Sequence, residues 1–180
     1  PKGGKRAQDA QLFASILPGF YHFGFSFGAY ASEQRQRFQQ NCKTHAAALV
    51  NLLSETLADT RFVFGRSEGI TITEKGEVSS QEGCTWQEFL ADPERASCRV
   101  SVVFPRATVL RTPAKDLIAD MAQTFERLFP LVLLAVEDDP LPAIEDYLEP
   151  LPTEQPHPAY TLTQCAAETG FSEEELAGWV

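Results

Sequence analysis

The clearest strand signal in this chain is the stretch Phe20-Tyr-His-Phe-Gly-Phe-Ser-Phe-Gly-Ala-Tyr30. Large aromatic side chains alternate with small or polar ones, which is the period of two that gives a β-strand two different faces. One face carries Tyr21, Phe23, Phe25, Phe27 and Ala29, and the other carries His22, Gly24, Ser26 and Gly28. Gly24 and Gly28 would let a helix backbone, or a ligand, come close to the second face.

Helical and strand patterns lie on both sides of this stretch. Residues 8–17 predict a short helix, and the three-and-four spacing of apolar residues predicts a long helix from Ser32 to about Asp59. Short strands are predicted over residues 61–65 and 98–104, with a weak hairpin over residues 70–78. Between the hairpin and the last strand, Thr85 and Glu88 have the spacing of a capping box, which begins a short helix.

A second long helix is predicted to open at Thr112-Pro113 and to kink or end at Pro130. Its expected buried side consists of Leu117, Ile118, Met121, Phe125, Leu128 and Phe129. A further apolar segment over residues 131–136 and a short helix over residues 140–148 follow. The patterns together predict an α+β fold, with a small and mainly antiparallel sheet packed by two long helices.

Charge divides the chain into two parts. All 15 Lys and Arg residues lie between Lys2 and Arg127, whereas the charged residues of 138–180 are all acidic and account for the whole net charge of −10. Because salt screens charge beyond about 10 Å, the acidic end does not prevent a basic patch on the neutral body. The charge balance therefore allows nucleic-acid binding without predicting it.

Composition and capping signals predict four segments. We expect a flexible basic arm over residues 1–6, an α+β domain over residues 7–149, and a proline-rich linker over residues 150–159. Residues 160–180 contain a second capping box, Ser172 to Glu175, followed by apolar residues at helical spacing. We interpret this segment as the truncated start of a following domain, so that the chain would be a piece of a longer protein. A frayed natural C-terminus is the alternative interpretation.

The segment over residues 160–180 resembles the lead-in to the GTPase core of McrB-type AAA proteins, the motors of modification-dependent restriction. The matching residues are Tyr160, Leu162, Glu168, Thr169, Gly170, Phe171, Ser172, Glu173, Glu174, Glu175, Leu176 and Trp179. The resemblance implies that residues 7–149 are the target-recognition domain of an anti-phage restriction protein, which binds DNA carrying a modified base such as 5-methylcytosine. It further implies a cytoplasmic, oligomeric parent that binds GTP and Mg²⁺ and acts with an McrC-like nuclease. The phosphate-binding loop lies outside this chain, so no GTPase residue is assigned and no cofactor is expected in this fragment.

Three clusters of basic residues are candidates for contacts with DNA phosphates. They lie on the first long helix, around the strand at residues 61–65, and after the strand at residues 98–104, and consist of Arg35, Arg37, Lys43, Arg61, Arg66, Arg106, Arg111 and Lys115. Trp86 and Tyr30 are candidates for stacking on a base, such as a modified base extruded from the duplex. Ordinary solvated charge and simple packing of Trp86 are the competing interpretations.

No set of residues has the spacing of a catalytic or metal site, so neither kind of residue is assigned and this fragment is not predicted to be an enzyme. The alternative to DNA recognition is a protein-interaction or regulatory module of the same GTPase. The acidic end of the chain would favour a basic partner in that case.

Overall fold

The computed structural model describes residues 9–65, 69–73, 78–80 and 83–149. Its backbone contacts divide the chain into two units, with the boundary between Tyr147 and Leu148. The predicted basic arm, the proline-rich linker, the segment that resembles the GTPase lead-in, and Arg66 lie outside the described residues. The four predicted segments therefore stay predictions.

The described elements come in runs along the chain, with two strands first, then three helices, then three strands. The strands are β1 Ala10–Leu17, β2 Phe20–Phe27, β3 Phe62–Phe64, β4 Ile70–Ile72, β5 Val78–Ser80 and β6 Val100–Pro105. The helices are α1 Ser32–Thr44, α2 Ala46–Leu52, α3 Ser54–Leu57, α4 Trp86–Ala91, α5 Arg106–Val109, α6 Ala114–Val136 and α7 Pro140–Leu148. A 3-10 turn, Pro93–Ala96, joins α4 to β6.

The main sheet has four strands in the order β1-β2-β6-β3, and every pair is antiparallel. A separate two-stranded sheet pairs β4 with β5, where the weak hairpin was predicted. The predicted α+β fold with a small antiparallel sheet is confirmed.

The core lies between one face of the main sheet and the helices. Phe23 and Phe25, from the aromatic face of β2, are fully buried. The ring of Phe25 lies 5.5 Å from that of Phe38 on α1, and the ring of Phe23 lies 6.3 Å from that of Phe125 on α6. Phe89 on α4 completes the cluster beside Phe38. The alternation seen in the sequence thus selects the face of β2 that the helices cover.

Gly24 does permit a close approach, but the approaching group differs from the prediction. A Cβ atom at this position would overlap the carbonyl oxygen of Val100 and lie 2.6 Å from Cα of Ser101. Both atoms belong to the backbone of the neighbouring strand β6, which pairs Gly24 with Ser101. The glycine at this position serves the pairing of two strands, whereas we expected it to admit a helix backbone or a ligand.

The helix predicted over residues 8–17 is wrong, because residues 10–17 form strand β1. Leu12, Phe13, Ile16 and Leu17 fit one helix face, but such a short apolar pattern does not distinguish helix from strand. Pairing decides the outcome, since every residue of β1 is in register with β2. The turn at Pro18-Gly19 closes the hairpin, and Gly19 has a φ of 96°, a conformation that glycine adopts without strain.

The first long helix is broken into α1, α2 and α3. The breaks fall at His45 and Leu53, where the backbone leaves helical geometry for one residue. Neither Gly nor Pro occurs between Ser32 and Asp59, so no local residue marks the breaks. Phe38, Cys42, Leu49, Leu53 and Leu57 of the predicted apolar stripe are nevertheless buried, whereas Ala46 is exposed and His45 and Leu52 are half-buried.

Pro130 was predicted to kink or end the second long helix, but α6 continues through it to Val136. A proline has no N–H, so the carbonyl of Glu126, four residues earlier, loses its usual helical donor. The hydroxyl of Tyr147 on α7 donates a hydrogen bond of 2.9 Å to that carbonyl. Tyr147 therefore supplies the donor that the proline lacks. Within the residues described here, no helix combines the length and apolar character needed to cross a membrane.

Candidate functional site

Arg37, a predicted DNA contact, is engaged with the C-terminal end of α6. Its Nε lies 2.9 Å from a carboxylate oxygen of Asp138, and its Nη1 donates to the carbonyls of Ala135 and Val136 at 3.4 and 3.3 Å. These carbonyls belong to the last turn of α6, where intrahelical donors are missing. Arg37 thus joins α1 to α6, and its guanidinium is already occupied by protein groups.

Arg61, a second predicted contact, belongs to a network around Asp59. The guanidinium lies 3.0 Å from Asp59 and 2.7 Å from Asp120 of α6, and Arg127 of α6 also lies 2.7 Å from Asp59. Burial of Asp59 opposes its ionisation, but hydrogen bonds from Arg61 and the charges of Arg61 and Arg127 outweigh burial and lower its pKa. The network fastens the segment before β3 to α6.

Acid is expected to weaken the fold through Asp59. Because folding lowers the pKa of Asp59, its stabilisation is complete above the unfolded value of about 3.9 and is lost as the pH falls through the lower folded value. Asp59→Asn should lower the free energy of unfolding at pH 7 by about 2 kcal/mol, since two arginines lose a charged acceptor. It should also flatten the dependence of stability on pH below about 4.

Urea denaturation at pH 7 and pH 3.5 measures both effects. Asp116→Asn is the matched control, because Asp116 is an exposed carboxylate that forms no ion pair among the described residues. Equal losses for the two variants at pH 7 would contradict the role given to Asp59.

Arg35 and Lys43 lie on α1, away from the remaining predicted contacts. The guanidinium of Arg35 lies 5.5 Å from the centre of the Phe27 ring, and its side chain is half-buried. Lys43 is exposed in the last turn of α1. Of the three predicted DNA contacts on α1, Lys43 is therefore the one that is fully exposed.

Arg106, Arg111 and Lys115 are all exposed; Arg106 and Arg111 lie in the connection between β6 and α6, and Lys115 lies in the first turn of α6. None of the three forms an ion pair within the described part of the chain. The backbone N–H of Arg106 donates to the carbonyl of Gly19 at 2.8 Å, which fixes this connection beside the β1–β2 turn. We call Arg106, Arg111 and Lys115 the basic rim.

An apolar groove of about 540 Å³ lies beside the basic rim. The β1–β2 turn, α5 and the first turns of α6 line it with Ile16, Leu17, Pro18, Gly19, Phe20, Tyr21, Arg106, Val109, Leu110, Ala114, Leu117 and Ile118. Ile16, Leu110 and Ile118 are 82%, 74% and 61% exposed. The prediction that Ile118 belongs to the buried side of its helix is therefore wrong.

Sequence reasoning missed the apolar groove because its parts are far apart in the chain. Ile16 and Leu17 were assigned to a helix that does not form, and Ile118 was assigned to the core. One signal was available in the sequence, because Leu110 is a large apolar residue directly beside Arg111 in a basic connection. Large apolar side chains that stay exposed often mark a binding surface.

The two predicted stacking residues do not lie with the basic rim. Phe20 of β2 pairs with Pro105 next to the rim, whereas Tyr30 follows the other end of this eight-residue strand. A strand of that length spans roughly 25 Å. Tyr30 is exposed in a polar hollow that also contains Asp9 and Glu33, whose charges would repel phosphate.

Trp86 also lies toward the far end of the sheet. It is half-buried at the start of α4, where the predicted capping box is present with both of its hydrogen bonds. Phe89 of the same helix packs on Phe64, and Phe64 pairs with Val100 at the end of β6 opposite Pro105. The structure therefore brings together Arg106, Arg111 and Lys115, and separates them from both aromatic candidates.

The titratable groups of the core favour packing over chemistry. Burial raises the pKa of Cys42, and burial together with the nearby Glu94 carboxylate raises that of Cys98 to about 12. A thiol with a raised pKa is a poor nucleophile at neutral pH. Among the residues that the structure describes, no group of three or more His, Cys, Asp or Glu side chains is placed to hold a metal ion.

Comparison of the chain with protein-family models, with curated proteins and with solved structures gives no match.

Proposed function

We propose that the chain contains the DNA-recognition domain of an McrB-like restriction GTPase, which binds DNA, in particular modified DNA, and directs a partner nuclease. The observation that carries the proposal is the basic rim, because its three cations are exposed and have no ion-pair partner among the described residues. Arginine and lysine with unoccupied donors suit phosphate contacts. The resemblance of residues 160–180 to the GTPase lead-in supports the same proposal.

By this proposal the protein works in the cytoplasm and the following domain of the parent binds GTP and Mg²⁺. The parent would be oligomeric and would act with an McrC-like nuclease. The fragment itself would bind DNA without catalysing a reaction.

The rim should make DNA binding depend on salt. If each of its three cations neutralises one phosphate, a plot of the logarithm of the association constant against the logarithm of the salt concentration should have a slope of about −2.7. The affinity should then drop roughly 40-fold between 50 and 200 mM salt. Fluorescence anisotropy with labelled duplexes measures this, and duplexes with cytosine, 5-methylcytosine and 5-hydroxymethylcytosine report any preference for a modification.

The variant Arg106→Gln, Arg111→Gln, Lys115→Gln should bring the salt slope close to zero. The matched control is Gln36→Glu, Gln40→Glu, Gln123→Glu, which lowers the net charge equally at exposed positions away from the rim. The control should keep the steep slope. Absence of binding to every duplex at low salt, or equal effects of both variants, would contradict the proposal.

The second candidate function is a protein-interaction module, and the apolar groove is the observation that favours it. Reading a base requires hydrogen bonds to its edges, and the side chains that line the groove are mostly aliphatic. The hydroxyl of Tyr21 faces Met121, with 3.2 Å between Oη and Sδ. The lining suits the apolar side chains of another protein better than a nucleobase.

A further inference from the structure

The most exposed of the large aliphatic side chains that the structure describes lie in one place. Ile16, Leu110 and Ile118 are the large aliphatic residues that are more than half exposed there, and all three line the apolar groove. They come from β1, from the residue after α5 and from α6, so the surface depends on the fold and not on one segment. An exposed apolar patch of this kind, next to polar residues, is typical of an interaction site.

The positions of these side chains indicate the size of the occupant. A small apolar molecule inside the groove would leave much of Ile16, Leu110 and Ile118 in water, because more than half of each of these residues is exposed. A helix can cover such exposed side chains, since one of its faces presents a row of large side chains that pack into an apolar groove. A DNA duplex could use the neighbouring cations, but its sugar–phosphate surface would not cover the aliphatic side chains.

The charge beside the groove indicates which sign of charge the occupant should carry. Arg106 lines the groove, Arg111 lies in the same connection, and Lys115 follows in the first turn of α6. The nearest acidic residues in the sequence are Asp116, which is exposed, and Asp120, which is held by Arg61. The basic rim therefore has excess positive charge, which complements an acidic partner and disfavours a basic one.

We infer that the apolar groove is a docking site for an acidic amphipathic helix of a partner protein, with the apolar face of that helix in the groove and its carboxylates against the basic rim. The inference goes beyond DNA recognition and holds whether or not the chain binds DNA. If both ligands bind, they compete, because both use Arg106, Arg111 and Lys115.

The test uses the 180-residue chain and a fluorescein-labelled peptide, without DNA. The peptide has about four helical turns, with leucine at the spacing of one helix face and glutamate elsewhere. We expect saturable binding, and we expect Leu110→Gln with Ile118→Gln to weaken it at least tenfold, because two apolar contacts become polar. Both positions are mostly exposed, so these substitutions should leave the fold intact.

Three controls make the result specific. Lysine in place of glutamate in the peptide should abolish binding, and a scrambled sequence of the same composition should bind poorly. Tyr30→Ser, at an exposed residue away from the groove, should leave peptide affinity unchanged. Absence of peptide binding, or equal affinity of the Leu110→Gln, Ile118→Gln protein and the original, would overturn the inference.

A parallel titration with a duplex separates this inference from the proposed function. The Leu110→Gln, Ile118→Gln protein should keep its DNA affinity within about twofold, since the cations remain. If the chain binds the peptide but no duplex, the DNA proposal fails and the docking inference stands. If the two glutamines abolish duplex binding, the groove serves DNA and the docking inference is overturned.

Discussion

Replacing Gly24 by alanine is expected to lower the free energy of unfolding by about 3–4 kcal/mol. The added Cβ would overlap the carbonyl oxygen of Val100 and lie 2.6 Å from Cα of Ser101. Both are backbone atoms of β6, which is the partner of both β2 and β3 and therefore cannot move alone. Relief of the overlap requires the two central strands of the sheet to separate. Urea denaturation followed by circular dichroism measures the loss.

Gly19→Ala is the matched control, because it adds the same atom to a different kind of glycine. Nothing lies within 4 Å of a Cβ atom at Gly19, although its φ of +96° is unfavourable for alanine. Its cost should be the conformational strain alone, about 1–2 kcal/mol. If Gly24→Ala costs no more than Gly19→Ala, the close approach of β2 and β6 is not a determinant of this fold.

Replacing Asn41 by alanine is expected to cost about 2–3 kcal/mol, the second large effect. Asn41 is buried on α1, and its Nδ2 donates hydrogen bonds of 2.9 Å to the carbonyls of Leu134 and Glu137. Both acceptors lie at the end of α6, where no intrahelical donor is present. The alanine variant leaves the carbonyl of Leu134 buried without this donor, and it leaves a void between the two helices.

Gln40→Ala is the control for Asn41→Ala. Gln40 is the preceding residue on α1, is exposed, and donates to Thr44 of the same helix. Its replacement should change the free energy of unfolding by less than about 0.5 kcal/mol. Similar losses for the two variants would show that the amide of Asn41 does not hold the end of α6.

Local sequence patterns correctly predicted the helices and strands that a few consecutive residues are enough to specify. The alternation in β2, the capping box at Thr85 and the short helix α7 needed no distant partner. The errors occurred where distant residues decide the local structure. Strand β1 depends on pairing with β2, and the continuity of α6 through Pro130 coincides with a hydrogen bond from Tyr147.

The candidate site was predictable in part, for the same reason. Arg106, Arg111 and Lys115 are close in the sequence and close in the fold, so the sequence identified them as one cluster. No local pattern indicates that Arg37 is bound by Asp138 and Arg61 by Asp120, because these carboxylates come from distant segments. The apolar groove requires three segments to meet, and no short pattern contains that information.

The most direct test of DNA recognition through the basic rim is an NMR titration of the ¹⁵N-labelled chain with a short methylated duplex. We predict that the backbone amide signals of Gly19 in the β1–β2 turn and of residues 106–112, 114 and 115 shift as the duplex is added, while those of Tyr30, Lys43 and Trp86 stay unchanged. Shifts centred on α1 and α4, or the absence of any shift at low salt, would contradict the account.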